Sequence, residues 1–552
     1  MTMFKKTDPN PQLDIFTAPS MQLGSRASKK YSDPNAWHNQ FYSLVTTKIN
    51  EEIFKPLFPE GKKCGRPNAS IRILVAMSAL KEGFGCSDED LFEKCEFDLL
   101  TRKALGMELL TDVTPSIDTY YLFRRRICEY QERTGIDLMQ LCFEQLAGNQ
   151  VRLLKISGKC VRMDSKLIGS NIARQSRYEL IHTTLVKFLK TCTLSDLSPE
   201  QEERAKEYLK EDSSKTVYRS DSDMLQSNLA RIGNFIMEML ATFPATSPAH
   251  DLLQRLFDEQ YAVKDGKAVL RDKKEVKADS LQNPNDPDAT YRAKNDQKVQ
   301  GYVTNITETV EEGKPNIITS VQVETAVFAD CHFLQEAVEN SERVTDSTIE
   351  DLYADGAYQS PDNREFAKNH NAMQLKTGKM QGGCRWELIP HDEDGLTVRE
   401  IATGNTYEAV KAVTKQGSRK RWRIPWNNKT GWRYFEDKDI KAYQLRKQIE
   451  SLPLEEQHKR NNVEAAMFQY SFHTRKGKTR YRGLLKHRMH AYSRCMWMNL
   501  RRMVIFQIST FQRSIFALFG PIREAFGSFK AISRKIFTSG ADCYVSLRMT
   551  TL

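Results

Sequence analysis

The segment V-Q-G-Y-V-T-N-I-T-E-T-V, residues 299–310, is followed by the turn-like E-E-G-K-P and then by N-I-I-T-S-V-Q-V-E-T-A, residues 316–326. Both runs are rich in β-branched residues, which favour strands, and the Gly and Pro between them favour a turn. The stretch therefore predicts a β-hairpin. Further strand-like runs lie at residues 160–164, 349–354 and 372–376, and helical runs lie at residues 331–340 and 361–369. Together they predict a mixed α/β fold.

The chain before this region is patterned as helices. Apolar residues recur at helical spacing from Ile71 to Ala79, and Ser87 followed by Asp90 is typical of a helix N-cap. One long helix is predicted over residues 115–146, and it carries the basic triplet at residues 124–126. Short helices beside a basic helix fit a helix-turn-helix DNA reader or an ordinary helical bundle, and the pattern does not separate the two.

These patterns divide the chain into four parts. Residues 1–33 are predicted to be a loose arm, residues 34–150 a helical domain that is the candidate for DNA binding, residues 151–510 an α/β domain, and residues 511–552 a tail. Two insertions are expected within the α/β domain, a helical one at about 174–280 and a β-rich one at about 382–437. The second holds four of the six tryptophans in short strand-like runs.

Bulk composition limits the class of protein. The 552 residues are 40% hydrophobic and 28% charged, which is typical of a globular chain. A net charge of +11 favours a polyanionic partner. The 11 cysteines include no C-x-x-C pair, so they indicate free thiols in a reducing cytoplasm. No signal peptide is expected, because the first residues, M-T-M-F-K-K-T-D-P-N-P, contain no apolar h-region. No membrane span is expected either, because the most apolar window, residues 503–520, is short and is interrupted by polar side chains.

Three acids stand at positions suited to metal chemistry. Asp164 and Asp355 end predicted strands, and Glu464 lies on a predicted helix as the one acid between residues 459 and 523. Converging carboxylates are hard ligands for Mg²⁺ or Mn²⁺, and a pair of such ions can activate a water or a 3′-hydroxyl for phosphoryl transfer. The alternative for each acid alone is an ordinary turn or surface residue among the chain's 71 Asp and Glu.

The motifs around these acids resemble those of the DDE transposases of bacterial insertion sequences. Asp164 lies in R-M-D-S-K, Asp355 in D-L-Y-A-D-G-A-Y-Q-S, which includes Tyr358, and Glu464 in R-N-N-V-E, which includes Arg460. The last motif matches the R-x3-E part of the family signature Y-x2-R-x3-E-x6-K. The helical stretch from R-P-N-A-S-I-R to D-E-D-L-F also resembles the N-terminal domain common in these enzymes.

Two positions of the signature depart from the family pattern. Gln457 stands in place of the tyrosine, and Ser471 stands in place of the lysine that contacts phosphate. Arg475 or Lys476, one turn later, could replace that contact.

The resemblance implies a fold, an activity and partners. It implies a ribonuclease H-like core that holds two Mg²⁺ or Mn²⁺ ions on Asp164, Asp355 and Glu464, with Tyr358 and Arg460 in support. The enzyme would bind the terminal inverted repeats of double-stranded DNA, cleave there and join the 3′ ends to target DNA, acting as a dimer or larger assembly. The rivals are a metal-dependent nuclease of the same fold and an inactive DNA-binding descendant.

Basic and aromatic residues supply the candidate DNA contacts. The candidates for phosphate contact are Arg475, Lys476, Lys478, Arg480 and Arg482. Basic side chains neutralise phosphates, but a charge run is also typical of a solvated surface. In the β-rich insertion, Trp422 or Trp426 could stack on a flipped base; the alternative is that both pack the insertion.

Overall fold

The computed structural model describes residues 4–7, 19–58, 67–243, 247–294, 297–377, 384–391, 395–412, 421–426, 431–451, 453, 456, 459 and 463–525. Side chains are described at these positions except at Ser20, Trp426 and residues 511–525. Helices and strands are numbered along the chain. The fold is mixed α/β, as the sequence predicted.

The first part of the chain is helical. Its helices are α1 (Pro19–Gln22), α2 (Ser25–Tyr31), α3 (Trp37–Leu44), α4 (Ile71–Phe84), α5 (Asp88–Phe97), α6 (Leu99–Leu105), α7 (Ile117–Thr134) and α8 (Leu138–Leu154), with 3₁₀ turns at Thr46–Lys48 and Glu51–Leu57. Helices α1 and α2 lie within the segment expected to be a loose arm, and Tyr31 at the end of α2 is buried.

Local chemistry sets the ends of these helices. The predicted cap of α5 is confirmed, because Ser87 and Asp90 form a reciprocal capping box. The single long helix predicted over residues 115–146 is wrong. Gly135 ends α7 in the left-handed conformation, at φ 74°, and the Asp137 side chain caps the start of α8.

The first strand leads into the helical insertion. β1 (Cys160–Gly169) runs five residues beyond the predicted end at Asp164. The insertion comprises α9 (Arg177–Leu189), α10 (Pro199–Lys210), α11 (Ser213–Arg219), α12 (Ser222–Thr242), α13 (Pro248–Gln260) and the hairpin β2 (Tyr261–Lys264) and β3 (Lys267–Leu270). It has its own hydrophobic core, and its hairpin was not expected.

The central sheet is built around β1. Its other strands are β4 (Thr290–Lys294), β5 (Gln297–Thr309), β6 (Ile318–Thr325), β7 (Asp351–Ala354) and β8 (Gln374–Thr377), with α14 (Leu334–Thr345) and α15 (Pro361–Asn369) between them. The predicted hairpin is confirmed as the antiparallel pair β5 and β6. The strand order is β4-β5-β1-β7-β8, and β6 pairs with β5 beyond the end of β4. β1 is antiparallel to β5 and parallel to β7.

The β-rich insertion forms a second sheet. Its antiparallel strands are β9 (Trp386–His391), β10 (Gly395–Glu400), β11 (Thr406–Ala412), β12 (Arg421–Trp426) and β13 (Gly431–Glu436), followed by α16 (Asp437–Glu450). Alternate residues of these strands pack on one face into a separate core.

The last described elements are α17 (Val463–Ser471) and α18 (Leu484–Ala525). Helix α18 continues beyond residue 511, where a tail was expected to begin. It shares one hydrophobic core with the N-terminal helices and one face of the central sheet, whereas the opposite face packs on α14. The helical region is therefore joined to the sheet by a continuous core. Among the described residues, no helix combines the length and apolarity needed to span a bilayer.

Candidate active site

Asp164 lies on β1, and Asp355 directly follows the adjacent parallel strand β7, at the matching position. The register pairs Cys160 with Asp351 and Arg162 with Tyr353, so each aspartate lies two residues beyond a paired residue. Neighbouring strands lie about 4.8 Å apart, and residues at one register face the same side. The two carboxylates are therefore brought together where β7 ends and separates from β1.

The same local arrangement orients both carboxylates. In each case Oδ1 accepts a hydrogen bond from the next backbone N–H, from Ser165 to Asp164 at 2.8 Å and from Gly356 to Asp355 at 2.6 Å. Both side chains are half-buried. The backbone N–H that follows each aspartate thus sets the orientation of its carboxylate.

Tyr358 lies behind the aspartates in the core of the sheet. It is fully buried, and its hydroxyl donates to Asn305 Oδ1 at 2.8 Å. Burial raises the pKa of Tyr358 well above its usual value, and the charges of Asp164, Asp330 and Asp355 raise it further. Tyr358 therefore acts as a neutral hydroxyl that fixes the turn after Asp355, which fits support of the acids rather than contact with phosphate.

The segment that carries Glu464 flanks Asp164 on both sides. Residues 162, 164 and 166 of β1 face one side of the sheet. Arg162 Nη1 donates to the carbonyl oxygen of Lys459 at 2.8 Å, and Lys166 Nζ donates to Ser471 Oγ at 2.7 Å. Asp164 thus lies between two side chains that reach the chain before and after Glu464.

Glu464 itself is exposed in the first turn of α17. Within the part of the chain that the structure describes, no group of three or more His, Cys, Asp or Glu is placed to hold a metal ion. The structure therefore brings two of the three predicted acids together and places the third on the neighbouring helix. Arg460 lies outside the described residues.

Hydrogen bonds also fix the chain just before α17. Glu456 accepts from Lys459 at 2.8 Å, from Lys376 of β8 at 3.0 Å, and from the Tyr353 hydroxyl of β7. The bonds from Lys459 and Tyr353 lower the pKa of Glu456 to about 2. This ionised side chain ties the segment to the strands next to Asp355.

Sequence reasoning missed Lys166. Its ammonium lies between β1 and α17, at 2.7 Å from Ser471 Oγ and 3.5 Å from the carbonyl oxygen of Met467. Burial lowers the pKa of Lys166, and Asp164 acts in the opposite direction. The signal in the sequence was its spacing of two from Asp164, which places both side chains on one face of a strand.

The predicted phosphate-binding residues fall into two groups. Arg480 donates to the carbonyl oxygens of Gly85 and Cys86 in the helical region. Lys478 Nζ donates to the carbonyl of Ile172 at 2.6 Å, and Arg482 Nε to that of Asn171 at 2.7 Å. These three side chains fasten the segment to the rest of the molecule.

Arg475 and Lys476 form the second group. Both are exposed, at a turn closed by backbone hydrogen bonds between Arg475 and Lys478. Lys476 and Gly477 occupy the turn at φ 52° and 72°, and Gly477 O accepts from the backbone N–H of Gly169 at the end of β1. The turn therefore presents two cations beside the strand that carries Asp164.

The aromatic residues of the β-rich insertion are divided between its two faces. Trp422 is only 4% exposed and packs in the core of the insertion, as the packing alternative predicted, so it offers no platform for a base. The side chain of Trp426 lies outside the described residues. Trp432, which we had not singled out, is 49% exposed, and the guanidinium of Arg423 lies 4.3 Å from its ring centroid.

A comparison with protein families finds a match in the first part of the chain. Residues 30–126 match the family model described as "Transposase domain (DUF772)". This match supports the resemblance to insertion-sequence transposases, and it covers helices of the first part of the chain, before β1. Searches of curated proteins and of solved structures return no match.

Proposed function

We propose that this chain is a transposase whose central sheet is a ribonuclease H-like DDE core. It would bind the inverted-repeat ends of its element, cleave a DNA strand there and join the 3′ end to target DNA, as a dimer or larger assembly with the nucleoid in the cytoplasm. The observation that carries this proposal is the register of β1 and β7, in which Arg162 pairs with Tyr353 and the two aspartates each follow two residues later.

The donor set fits a hard divalent cation. Mg²⁺ is held in proteins by one or two carboxylates, completed by waters and substrate phosphates, and Asp164 and Asp355 offer such a pair. Glu464 is proposed as the third ligand from its place in the signature. When bound, Mg²⁺ or Mn²⁺ would stabilise the charge that develops on oxygens during phosphoryl transfer.

The protein's own residues would position the DNA. The Asp164 and Asp355 carboxylates are oriented by the backbone N–H groups that follow them. Arg475 and Lys476 are exposed at the turn beside β1 and would neutralise backbone phosphates. Lys478, Arg480 and Arg482 would act indirectly, because their hydrogen bonds hold that turn against the sheet and the helical region.

The test is cleavage of the element's end DNA by the full chain in Mg²⁺, with Asp355→Asn as the variant. Asp351→Asn is the matched control, because Asp351 begins the strand that Asp355 follows and pairs with Lys376 at 2.9 Å, away from the carboxylate pair. We expect cleavage by the unaltered protein and the control, and a loss of at least about 100-fold in Asp355→Asn, since electrostatic groups of this kind are worth that much. Equal cleavage by all three proteins would refute the site.

A second assay separates the rival functions. The protein is given an end that is already nicked, so that only joining to target DNA is scored. Joined products support a transposase, whereas cleavage without joining supports a nuclease of the same fold. DNA binding without either reaction in Mg²⁺ or Mn²⁺ supports an inactive descendant.

A further inference from the structure

We propose that Lys166 provides, from β1, the phosphate-binding ammonium that the signature places at position 471 on the helix. The proposal rests on the proposed function, since it assigns to the same site a contact with one DNA phosphate. The ligand is a non-bridging oxygen of a phosphodiester lying next to Asp164 and Asp355.

One hydrogen bond joins Lys166 to the position where the signature has its lysine. Position 471 holds a serine, and its Oγ accepts from Lys166 Nζ at 2.7 Å. The ammonium therefore lies one hydrogen bond beyond the serine hydroxyl, within the reach of a lysine side chain rooted at position 471. The charge lost from α17 is restored by the neighbouring strand.

The ammonium has donor capacity left for a phosphate. A lysine ammonium has three N–H donors. Lys166 Nζ has two acceptors, Ser471 Oγ at 2.7 Å and the Met467 carbonyl oxygen at 3.5 Å, which is a long and weak contact. Neither acceptor is charged. Among the described residues Lys166 forms no ion pair within 4 Å, although it is half-buried. A half-buried cation whose hydrogen-bond acceptors are both neutral would gain from an anionic ligand.

Its position relative to the acids fits the same role. Lys166 follows Asp164 by two residues on β1, so both side chains project from one face of the strand. Successive side chains on one face of a strand lie about 7 Å apart. In a DNA strand, the reacting phosphorus and the next phosphate are separated by a similar distance. The first can therefore lie at Asp164 while the second contacts Lys166. The rival role is purely structural, a strut that fastens α17 to β1.

The experiment measures DNA binding by the full chain in EDTA, so that cleavage plays no part. Affinity for a pre-nicked end duplex is titrated across KCl concentrations for Lys166→Met, the double variant Lys166→Met/Ser471→Lys, and Lys159→Met. Lys159 is the control, because it precedes β1 and its ammonium pairs with Glu350 in an exposed ion pair. Far-ultraviolet circular dichroism checks the fold of each variant.

We expect Lys166→Met to bind about tenfold more weakly at low salt and to lower the slope of log K against log salt by about 0.9, the value for one lost phosphate contact. The double variant restores both values, and Lys159→Met matches the unaltered protein. A strut would change stability but leave the salt slope unchanged. An unchanged slope in folded Lys166→Met, or no restoration by Ser471→Lys, overturns the proposal.

A second measurement needs no variant that could misfold. Single phosphates near the nick are replaced by neutral methylphosphonates, and binding by the unaltered protein is compared with that of Lys166→Arg. Neutralising one particular phosphate should weaken binding by both proteins, because arginine keeps the charge. If no single phosphate near the nick affects binding, the proposal is overturned. These outcomes do not depend on the Asp355→Asn assay, so a failure of this proposal can be told apart from a failure of the proposed function.

Discussion

Replacing Glu308 by glutamine should destabilise the core of the protein, because it leaves two buried cations without a counter-charge. Glu308 lies on β5 with a side chain that is 0% exposed. Arg162 of β1 donates from Nε to Oε1 at 2.6 Å, and its Nη2 lies 2.5 Å from the same oxygen. Arg502 Nη1 of α18 lies 2.6 Å from Oε2. One carboxylate therefore joins the strand of Asp164 to the sheet and to the last helix.

The expected cost is about 3–5 kcal/mol, the range found when one partner of a buried ion pair is removed. The upper part of that range applies here, since glutamine leaves two guanidinium groups rather than one. The assay is urea unfolding, with the free energy of the transition that melts the sheet obtained by linear extrapolation.

Glu350→Gln is the matched control for Glu308→Gln. Its partner Lys159 is also beside β1, but both side chains are more than half exposed, so we expect a cost below about 1 kcal/mol. A loss below about 1 kcal/mol in Glu308→Gln would refute the reasoning, because it would mean that water or relaxation compensates both arginines.

Three further predictions follow from buried positions. His487 is buried, and its pKa is lowered to about 3, chiefly by burial. Its contribution to the free energy of unfolding is present above pH 6.5 and is lost as the pH falls from 6.5 towards 3. Between pH 7 and pH 5, the free energy of urea unfolding should therefore fall by about 2 kcal/mol more for the unaltered protein than for His487→Gln. Gly301→Ala should cost about 3 kcal/mol in the same assay, since a Cβ there would lie 2.4 Å from the Ile168 carbonyl oxygen of the paired strand, whereas Gly356→Ala has open space. Trp422→Ala should lower the free energy of unfolding by about 3–5 kcal/mol and speed proteolysis within the β-rich insertion. Trp432→Ala, at a half-exposed ring, should have neither effect.

Much of the sheet could be predicted from the sequence because its signals are local. The β-branched runs on either side of E-E-G-K-P specify the β5 and β6 hairpin, and Ser87 with Asp90 specifies the start of α5. The break between α7 and α8 was also local, but the left-handed Gly135 was overlooked within a strong helical pattern.

The geometry of the site depends on register, which the sequence does not display. Asp164 and Asp355 are 191 positions apart, and only the register of β1 with β7 shows that they lie at matching positions. Likewise nothing local shows that Arg480 reaches the carbonyls of Gly85 and Cys86 while Lys476 points to solvent. The sequence of a basic run does not show whether its N–H donors bind other parts of the protein or remain available to a ligand.

Trp422 and Trp432 of the insertion differ in whether their exposure could be predicted. Alternation in R-W-R-I, residues 421–424, places Trp422 with Ile424 on one face and the arginines on the other, which predicts a buried tryptophan. The exposure of Trp432 could not be predicted in this way. It follows from the pairing of Trp432 with Pro425, which puts its ring on the arginine face.

The central claim, that Asp164 and Asp355 act together on DNA, is tested most directly by comparing end cleavage in Mg²⁺ for Asp164→Asn, Asp355→Asn and the double variant. Groups that act as one unit show non-additive losses, so the double variant should cleave no more slowly than the slower single variant. Losses that multiply in the double variant, or full activity in either single variant, would contradict the account.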